Sequence, residues 1–153
     1  MILYRIADCS YVNDLSGTGT RIFGGRWSSK GKPGVYLASS RALAVLEVLV
    51  HLQPLFIPDN FCLAEIEVPA DSMEQTDISN LLSNWKDVSP PAQIKKIGDD
   101  FLKEKKFLAL QLPSAIVQAE FNFLINPLHK EMKKVKVLRV EPFSFDERLI
   151  QTT

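Results

Sequence analysis

The chain has 153 residues, 46% of them hydrophobic, and its 18 basic side chains balance 18 acidic ones. A single domain of this length buries roughly 70% of the surface that its unfolded chain exposes, which is enough for a hydrophobic core. The balanced charge, without a concentrated cluster of Lys and Arg, argues against direct binding of nucleic acid, and no apolar run is long enough to span a bilayer.

The N-terminus and the cysteines bear on the compartment. Residues 1–10 lack the basic region and the long apolar region of a signal peptide, so we expect a cytoplasmic protein. A reducing compartment predicts that Cys9 and Cys62 are free thiols. The cysteines and the two histidines show no paired ligand spacing, so we expect no metal site.

Periodicity and turn residues predict strands and helices in irregular alternation. Strands are predicted at residues 2–6, 35–38, 62–68, 107–112 and 134–140. A polar loop is predicted from Ser10 to Thr20, and it leads into a turn at residues 24–25. The helix after the second strand has these candidate boundaries: Ser39 or Ser40 as its N-cap, and Pro54 and Pro58 at its end.

The polar segment 71–106 predicts one short helix around residues 78–85 and a second that opens at Ser89, with Ser89 as its N-cap. The apolar stripe of the second helix consists of Ile94, Ile97 and Phe101. We interpret this segment as a helical insert on the surface. The chain is then a single α+β domain, residues 1–153, with a mixed or split sheet flanked by helices.

Glu47 is the only charged residue in the helical run from residue 42 to residue 50. It shares the spacing of one buried stripe with Leu43, Leu46 and Val50. Burying an ionised carboxylate is costly, so we expect Glu47 to be paired, protonated or facing a polar cleft. The alternative is a position at the edge of the stripe, with the carboxylate in solvent or paired with a structural arginine.

Familiar nucleotide and hydrolase motifs do not fit. Residues 25–32 are spaced one residue too long for a P-loop and are followed by Pro33, and residues 17–22 lack the third glycine of a dinucleotide fingerprint. No serine occupies the centre of a G-x-S-x-G elbow.

A smaller set of residues suits an anionic ligand with a cationic leaving group. Arg26 gives bidentate contacts to a diphosphate, and Gly24 and Gly25 beside it allow backbone amides to approach. Tyr36 offers a face for a planar ring, and Glu47 offers negative charge for a ribose carbon that becomes positive. NAD fits all three requirements. The alternatives are a surface position for Arg26 and simple core packing for Tyr36.

Seven ordered blocks of this sequence resemble the RES domain family, which is named for its Arg, Glu and Ser. The blocks are Gly24-Gly25-Arg26-Trp27-Ser28, residues 35–38, residues 44–51, Pro113-Ser114-Ala115, Glu120-Phe121-Asn122, residues 126–129 and residues 145–149. They run from about residue 20 to residue 150, nearly the whole chain. The resemblance implies that segment 71–106 is variable within the family.

The resemblance implies a fold similar to that of ADP-ribosyltransferases and a site at Arg26, Tyr36, Glu47 and Ser114, with Asn122 near the pocket. In that site Arg26 and nearby amides hold the diphosphate, and Tyr36 stacks on nicotinamide or its ribose. Glu47 holds a ribose hydroxyl and stabilises the transition state. Ser114 positions a ribose or a phosphate, although a serine at this position also suits a simple helix cap.

The resemblance also implies a toxin of a bacterial type II toxin–antitoxin pair that consumes NAD, inhibited by a cognate antitoxin with an Xre-type helix-turn-helix. Water, inorganic phosphate or a protein side chain are all acceptors compatible with such a site, so hydrolysis, phosphorolysis and ADP-ribosyl transfer stay open. A mono-ADP-ribosyltransferase and a non-catalytic interaction module are the alternatives. The intact set of four residues argues against the last of these.

Overall fold

The structure is a computed structural model that describes residues 1–53 and 57–150. Across these residues it has seven strands: β1 (Ile2–Asp8), β2 (Val35–Ala38), β3 (Phe61–Glu67), β4 (Met73–Gln75), β5 (Ala109–Pro113), β6 (Phe121–Ile125) and β7 (Lys136–Phe143). The α-helices in the same ranges are α1 (Thr18–Phe23), α2 (Arg41–Leu49) and α3 (Ala92–Glu104). Short 3-10 helices lie at Ile78–Asn80, Lys130–Lys134 and Glu147–Leu149.

The strands form one mixed sheet in the order β4-β5-β6-β2-β1-β3-β7. Only the pair of β4 and β5 is parallel among the described strands, and the other neighbours are antiparallel. The prediction of a single α+β domain with a mixed sheet is confirmed, and all five predicted strands are present. No helix in the described ranges is long and apolar enough to cross a membrane.

The sequence predicts the start of α2 correctly but not its end. Ser40 is the N-cap, because its Oγ accepts a hydrogen bond of 3.0 Å from the backbone N–H of Leu43. The helix ends at Leu49, well before Pro58, and Pro54 lies outside the described residues. The prediction that the prolines terminate this helix is therefore wrong for Pro58.

Three further local predictions are wrong. The loop predicted to run through Thr20 instead gives way to α1 at Thr18. The helix predicted at residues 78–85 is a single 3-10 turn, which Asp77 caps by accepting from the N–H of Ser79. The N-cap of α3 is Pro91, two residues beyond the predicted Ser89.

Segment 71–106 is built into the core, which corrects the interpretation of a surface insert. β4 extends the sheet by pairing with β5. The apolar face of α3, with Ile94, Phe101 and Leu102, packs into a buried cluster that also contains Trp27 and Trp85. The rings of the two tryptophans lie 5.7 Å apart. The segment thus contacts the residues that flank Arg26.

Cys9 and Cys62 form a disulfide, so the prediction of free thiols is wrong for this structure. The antiparallel register of β1 and β3 sets Ala7 opposite Cys62, and the N–H of Cys9 then bonds to the carbonyl of Asn60. This brings the two Cα atoms to 4.9 Å. The sequence alone could not show a proximity that depends on strand register across 53 residues.

Candidate active site

A cleft of about 720 Å³ opens beside β1, β2, α2 and the loop at residues 24–27. Its volume lies within the range of about 300–1,000 Å³ that is usual for small-molecule sites. The predicted residues that line it are Gly24, Gly25, Arg26, Tyr36, Glu47 and Asn122. Segments that are far apart in sequence thus meet at one cavity.

Glu47 faces this cleft from α2 and is half-buried. Its Oε1 accepts hydrogen bonds from Ser114 Oγ at 3.0 Å and from Asn122 Nδ2 at 2.5 Å. Both donors are neutral, and Glu47 has no ion-pair partner among residues 1–53 and 57–150. The alternative of a structural arginine pair is therefore wrong. Two neutral donors therefore hold the carboxylate in place, and no basic side chain of the described residues lies within ion-pair distance of it.

The buried side of α2 differs from the predicted stripe. Leu43 and Ala44 are buried, whereas Val50 is 56% exposed. Glu47 follows Ala44 by three residues and lies with it along the cleft. Leu43 and Glu47 of the predicted stripe thus lie on the buried or cleft-facing side of α2, whereas Val50 is a largely exposed residue at the rim of the cleft.

Ser114 lies behind Glu47 rather than in the cleft. It follows the last residue of β5, is 3% exposed and is absent from the cleft lining. Its Oγ accepts from the N–H groups of Ile116 and Val117, each at 3.1 Å, and donates to Glu47. The hydroxyl is fully used by these contacts, so the geometry does not support the expected direct contact with a ribose or a phosphate.

Arg26 reaches across the cleft to a remote part of the chain. Its Nη1 donates to the carbonyl of Trp85 at 3.0 Å and to that of Asp87 at 2.8 Å. These contacts fix one end of the guanidinium, and the group still lines the cleft. The alternative of a free surface arginine does not describe this half-buried, anchored side chain.

Gly24 and Gly25 serve the shape of the loop. Gly24 has a φ of 72°, in the region that favours glycine, and a Cβ on Gly25 would come within 2.7 Å of the Tyr36 ring. The N–H of Gly24 donates to Thr20 O at 2.7 Å, and that of Gly25 donates to Ser28 O at 2.9 Å. Both amides are already engaged, which corrects the expectation that they approach a diphosphate.

Tyr36 packs beneath this loop and lines the cleft with part of its ring. Its hydroxyl lies 2.7 Å from Ser28 Oγ. Burial raises the pKa of Tyr36 to about 12, although the hydrogen bond with Ser28 acts in the opposite direction. Tyr36 is therefore a neutral phenol at physiological pH, and its ring supports the loop that carries Arg26.

Helix α3 holds the same loop from the outside. Lys95 Nζ donates to Gly25 O at 2.5 Å, and Asp99 accepts from the N–H and the Oγ of Ser29 at 2.8 Å and 2.6 Å. A Cβ on Gly98 would lie 1.9 Å from Trp27 O, so the helix backbone touches the loop. Sequence reasoning missed these residues, because amphipathic periodicity does not reveal which loop a helix contacts.

Three residues of the cleft with basic side chains were also missed: Arg5, His51 and Lys86. His51 follows Glu47 by four residues, and helical spacing was a usable signal for it. Arg5 lies in the first predicted strand, which was given no functional role, and Lys86 lies in the segment that was interpreted as a surface insert. Within the described residues, no three His, Cys, Asp or Glu side chains lie close enough to hold a metal ion.

Comparison with known proteins gives a family match over nearly the whole chain. The model of the RES domain matches residues 2–146. Toxin Res of Photorhabdus laumondii is 38% identical over 153 residues, which cover 99% of this chain and 98% of that protein. The Prs ADP-ribosylating toxin of a Sphingobium species is 40% identical over 144 residues, covering 92% of this chain and 89% of that one.

A solved structure agrees at the level of the fold. A chain in the crystal structure of the M. tuberculosis MbcT–MbcA toxin–antitoxin complex is 18% identical, with a TM-score of 0.77. The match covers 94% of this chain and 84% of that chain. The family model, the full-length relatives and the shared fold lead to one conclusion: this chain belongs to the RES domain family.

Proposed function

We propose that this chain is the toxin of a toxin–antitoxin pair, and that it consumes NAD by breaking the bond between nicotinamide and ribose. The observation that carries the proposal is the state of Glu47, a half-buried carboxylate that faces the cleft and is held by two neutral donors. A fixed carboxylate that has no ion-pair partner among the described residues suits a ligand that supplies positive charge. The names of the full-length relatives, Toxin Res and Prs ADP-ribosylating toxin, support the same function.

The chemistry follows from where charge moves in NAD. When the glycosidic bond breaks, its electron pair goes to the ring nitrogen, and nicotinamide leaves as a neutral molecule. Positive charge then develops on the ribose, where a preorganised carboxylate lowers the barrier. Oε1 of Glu47 is occupied by Ser114 and Asn122, whereas Oε2 makes no hydrogen bond to the described residues. We assign Oε2 to a ribose hydroxyl.

The other side chains orient the dinucleotide. We assign the diphosphate to the guanidinium of Arg26, whose Nη1 is anchored to two carbonyls and whose remaining N–H groups have no partner among the described residues. Tyr36, neutral at working pH, borders the ribose. Ser114 is a positioning residue that acts through Glu47, and Asn122 both positions Glu47 and borders the cleft.

ADP-ribosyl transfer to a protein is the second candidate. It uses the same pocket and the same bond cleavage, and it differs only in the acceptor that attacks the ribose carbon. The specific support is the relative that is called an ADP-ribosylating toxin and is 40% identical over 92% of this chain. Hydrolysis and phosphorolysis are the other two outcomes, with water and inorganic phosphate as acceptors.

A toxin that depletes NAD in its own cytoplasm requires an inhibitor. We propose a cognate antitoxin, of the Xre-type helix-turn-helix class, that is bound until growth arrest is triggered. The structural relative was solved as a complex of a toxin with its antitoxin, which supports a partner of this kind. DNA binding then belongs to the partner, in keeping with the balanced charge of this chain.

The test is to incubate the purified chain with NAD, with and without inorganic phosphate, and to follow nicotinamide and the ADP-ribose product by mass spectrometry. Glu47→Gln removes the charge at constant size. Glu74→Gln, on the exposed edge strand β4, is the matched control. We expect nicotinamide release by the wild type and the control only. Release that depends on phosphate means phosphorolysis, and equal release without it means hydrolysis.

If the wild type releases no nicotinamide from NAD alone but radioactive NAD labels a cellular protein, NAD consumption is wrong and ADP-ribosyl transfer to that protein is the function. No release and no labelling would refute both enzymatic proposals. In cells, Arg26→Ala and Glu47→Ala are expected to abolish toxicity at equal expression. A variant that stays toxic would remove that residue from the site.

A further inference from the structure

A second cavity of about 680 Å³ adjoins the cleft. Arg5, Gly24 and Tyr36 line both cavities, so the two adjoin at these residues. The second cavity is bounded by the loop that follows β1, by α1 and by the start of β2. Of the residues assigned above to NAD binding and bond cleavage, Tyr36 alone lines it, at the junction.

The side chains around this cavity suit a flat, uncharged ring with polar edges. Two aromatic residues remain unusually exposed there, Tyr11 at 64% and Phe23 at 77%. Thr18 and Thr20, which carry hydroxyl groups, line the same space. Exposed aromatic rings beside hydroxyl groups are typical of nucleoside sites, where the base stacks on the ring and the sugar forms hydrogen bonds.

Arg5 brings positive charge to the junction. Its Nη1 donates to the backbone carbonyl of Asp14 at 2.6 Å, and it has no ion-pair partner among the described residues. Burial lowers the pKa of Arg5, and the nearby charge of Asp14 acts against this shift. A half-buried guanidinium between two cavities, held by a carbonyl and not by a carboxylate, favours an anionic group at that point.

We propose that the second cavity binds the adenosine half of a nicotinamide dinucleotide, with adenine against Phe23 and Tyr11 and the diphosphate extending from Arg26 in the cleft to Arg5 at the junction, since both arginines line the cleft. NAD consists of two nucleosides joined through an anionic centre. Two adjoining cavities with the cation of Arg5 where they meet reproduce that order. The inference rests on the proposed function and extends it to the part of the substrate that does not react.

Gly19 allows a direct test, because a Cβ at this position meets nothing within 4 Å. Gly19 lines the second cavity, so Gly19→Trp is expected to place a bulky ring at that cavity without a clash at its Cβ. Ala42→Trp is the matched control, since Ala42 is exposed, is also the second residue of its helix and lines neither cavity. Phe23→Ala removes the stacking ring, with Leu138→Ala on the exposed face of β7 as its control.

Steady-state cleavage is compared for NAD and for nicotinamide mononucleotide, which has the same reacting bond and lacks adenosine. We expect the wild type to have a lower KM for NAD than for the mononucleotide. Loss of one stacking contact raises the KM for NAD by about tenfold in Phe23→Ala. Gly19→Trp brings the NAD value to that of the mononucleotide, whose own kinetics stay unchanged in both variants. Equal use of both substrates by the wild type, or an unchanged KM in both variants, overturns the proposal.

Calorimetric binding of ADP-ribose separates the subsite from the reaction. If the wild type cleaves neither substrate but binds ADP-ribose, and Gly19→Trp loses that binding while Ala42→Trp keeps it, the reaction is wrong and the adenosine site stands. If the wild type cleaves NAD and Gly19→Trp binds ADP-ribose as well as the wild type does, the reaction stands and the adenosine site is wrong. Absence of both cleavage and binding overturns both proposals.

Discussion

Removal of the Ser114 hydroxyl tests whether this residue acts on the ligand or through Glu47. Ser114 donates one of two hydrogen bonds to Glu47 Oε1, and Asn122 donates the other. A hydrogen bond to a charged group contributes about 1.5–3 kcal/mol, and each 1.4 kcal/mol of barrier changes the rate about tenfold. Ser114→Ala is therefore expected to lower kcat for nicotinamide release roughly ten- to hundredfold. The KM for NAD changes little, because the hydroxyl does not line the cleft.

A double-variant cycle decides between the two roles. Glu47→Gln alone is expected to lower kcat by about 10²–10³, the usual effect of losing one electrostatic stabiliser. In that background Ser114→Ala adds less than threefold, because the charge on which it acts is already gone. The same loss in both backgrounds, with a raised KM, would mean that Ser114 contacts the ligand. Thermal melting serves as the control, since Ser114 also accepts from two backbone N–H groups.

Three predictions concern stability. Gly25→Ala puts a Cβ within 2.7 Å of the Tyr36 ring and is expected to lower the free energy of unfolding, measured in urea, by about 1–3 kcal/mol. Gly19→Ala is the control, because its Cβ meets nothing within 4 Å. Equal stability of the two variants would contradict the packing argument. The pKa of Tyr36 is about 12 in the folded protein and about 10 in the unfolded chain, so the stability contributed by its neutral phenol is fully present below about pH 10. As the pH rises from about 10 to about 12, the free energy of unfolding falls by at most about 3 kcal/mol. Tyr36→Phe is expected to abolish this fall in melts at alkaline pH. Reduction of the Cys9–Cys62 bridge, which spans 53 residues, lowers the free energy of unfolding by up to about 4 kcal/mol, and a melting temperature insensitive to reductant would show that the bridge does not form.

Local sequence pattern was sufficient to predict those strands and helices whose own residues indicate where they lie. Val35–Ala38 was predicted to the residue, because a short apolar run between polar segments has one simple interpretation. The start of α2 was predicted because a serine at its N-cap satisfies a free N–H of the first turn. The meeting of Arg26 and Glu47 at one cleft was predicted only from the chemistry of their side chains and the family resemblance.

Long-range contacts account for what the sequence did not reveal. β4 has three residues and β6 lies in a run without clear alternation, so both depend on pairing with β5 rather than on local preference. The roles of Gly24 and Gly25 were misjudged for the same reason. Whether a glycine amide is free for a ligand depends on partners elsewhere, and here those partners are Thr20 and Ser28.

The two charged side chains of the site, those of Glu47 and Arg26, are held by different parts of the fold. Glu47 is fixed by Ser114 and Asn122, at the end of β5 and on β6, in the central region of the sheet. The loop of Arg26 is fixed by α3 and by the carbonyls of Trp85 and Asp87. Helix α3 and Trp85 pack on the sheet mainly through side chains. Hydrogen-bonded central strands open only with the whole domain, whereas a packed helix can separate at lower cost. Catalytic geometry is therefore expected to be most sensitive at α3, and loss of the diphosphate contact should precede loss of the carboxylate geometry as the protein is destabilised.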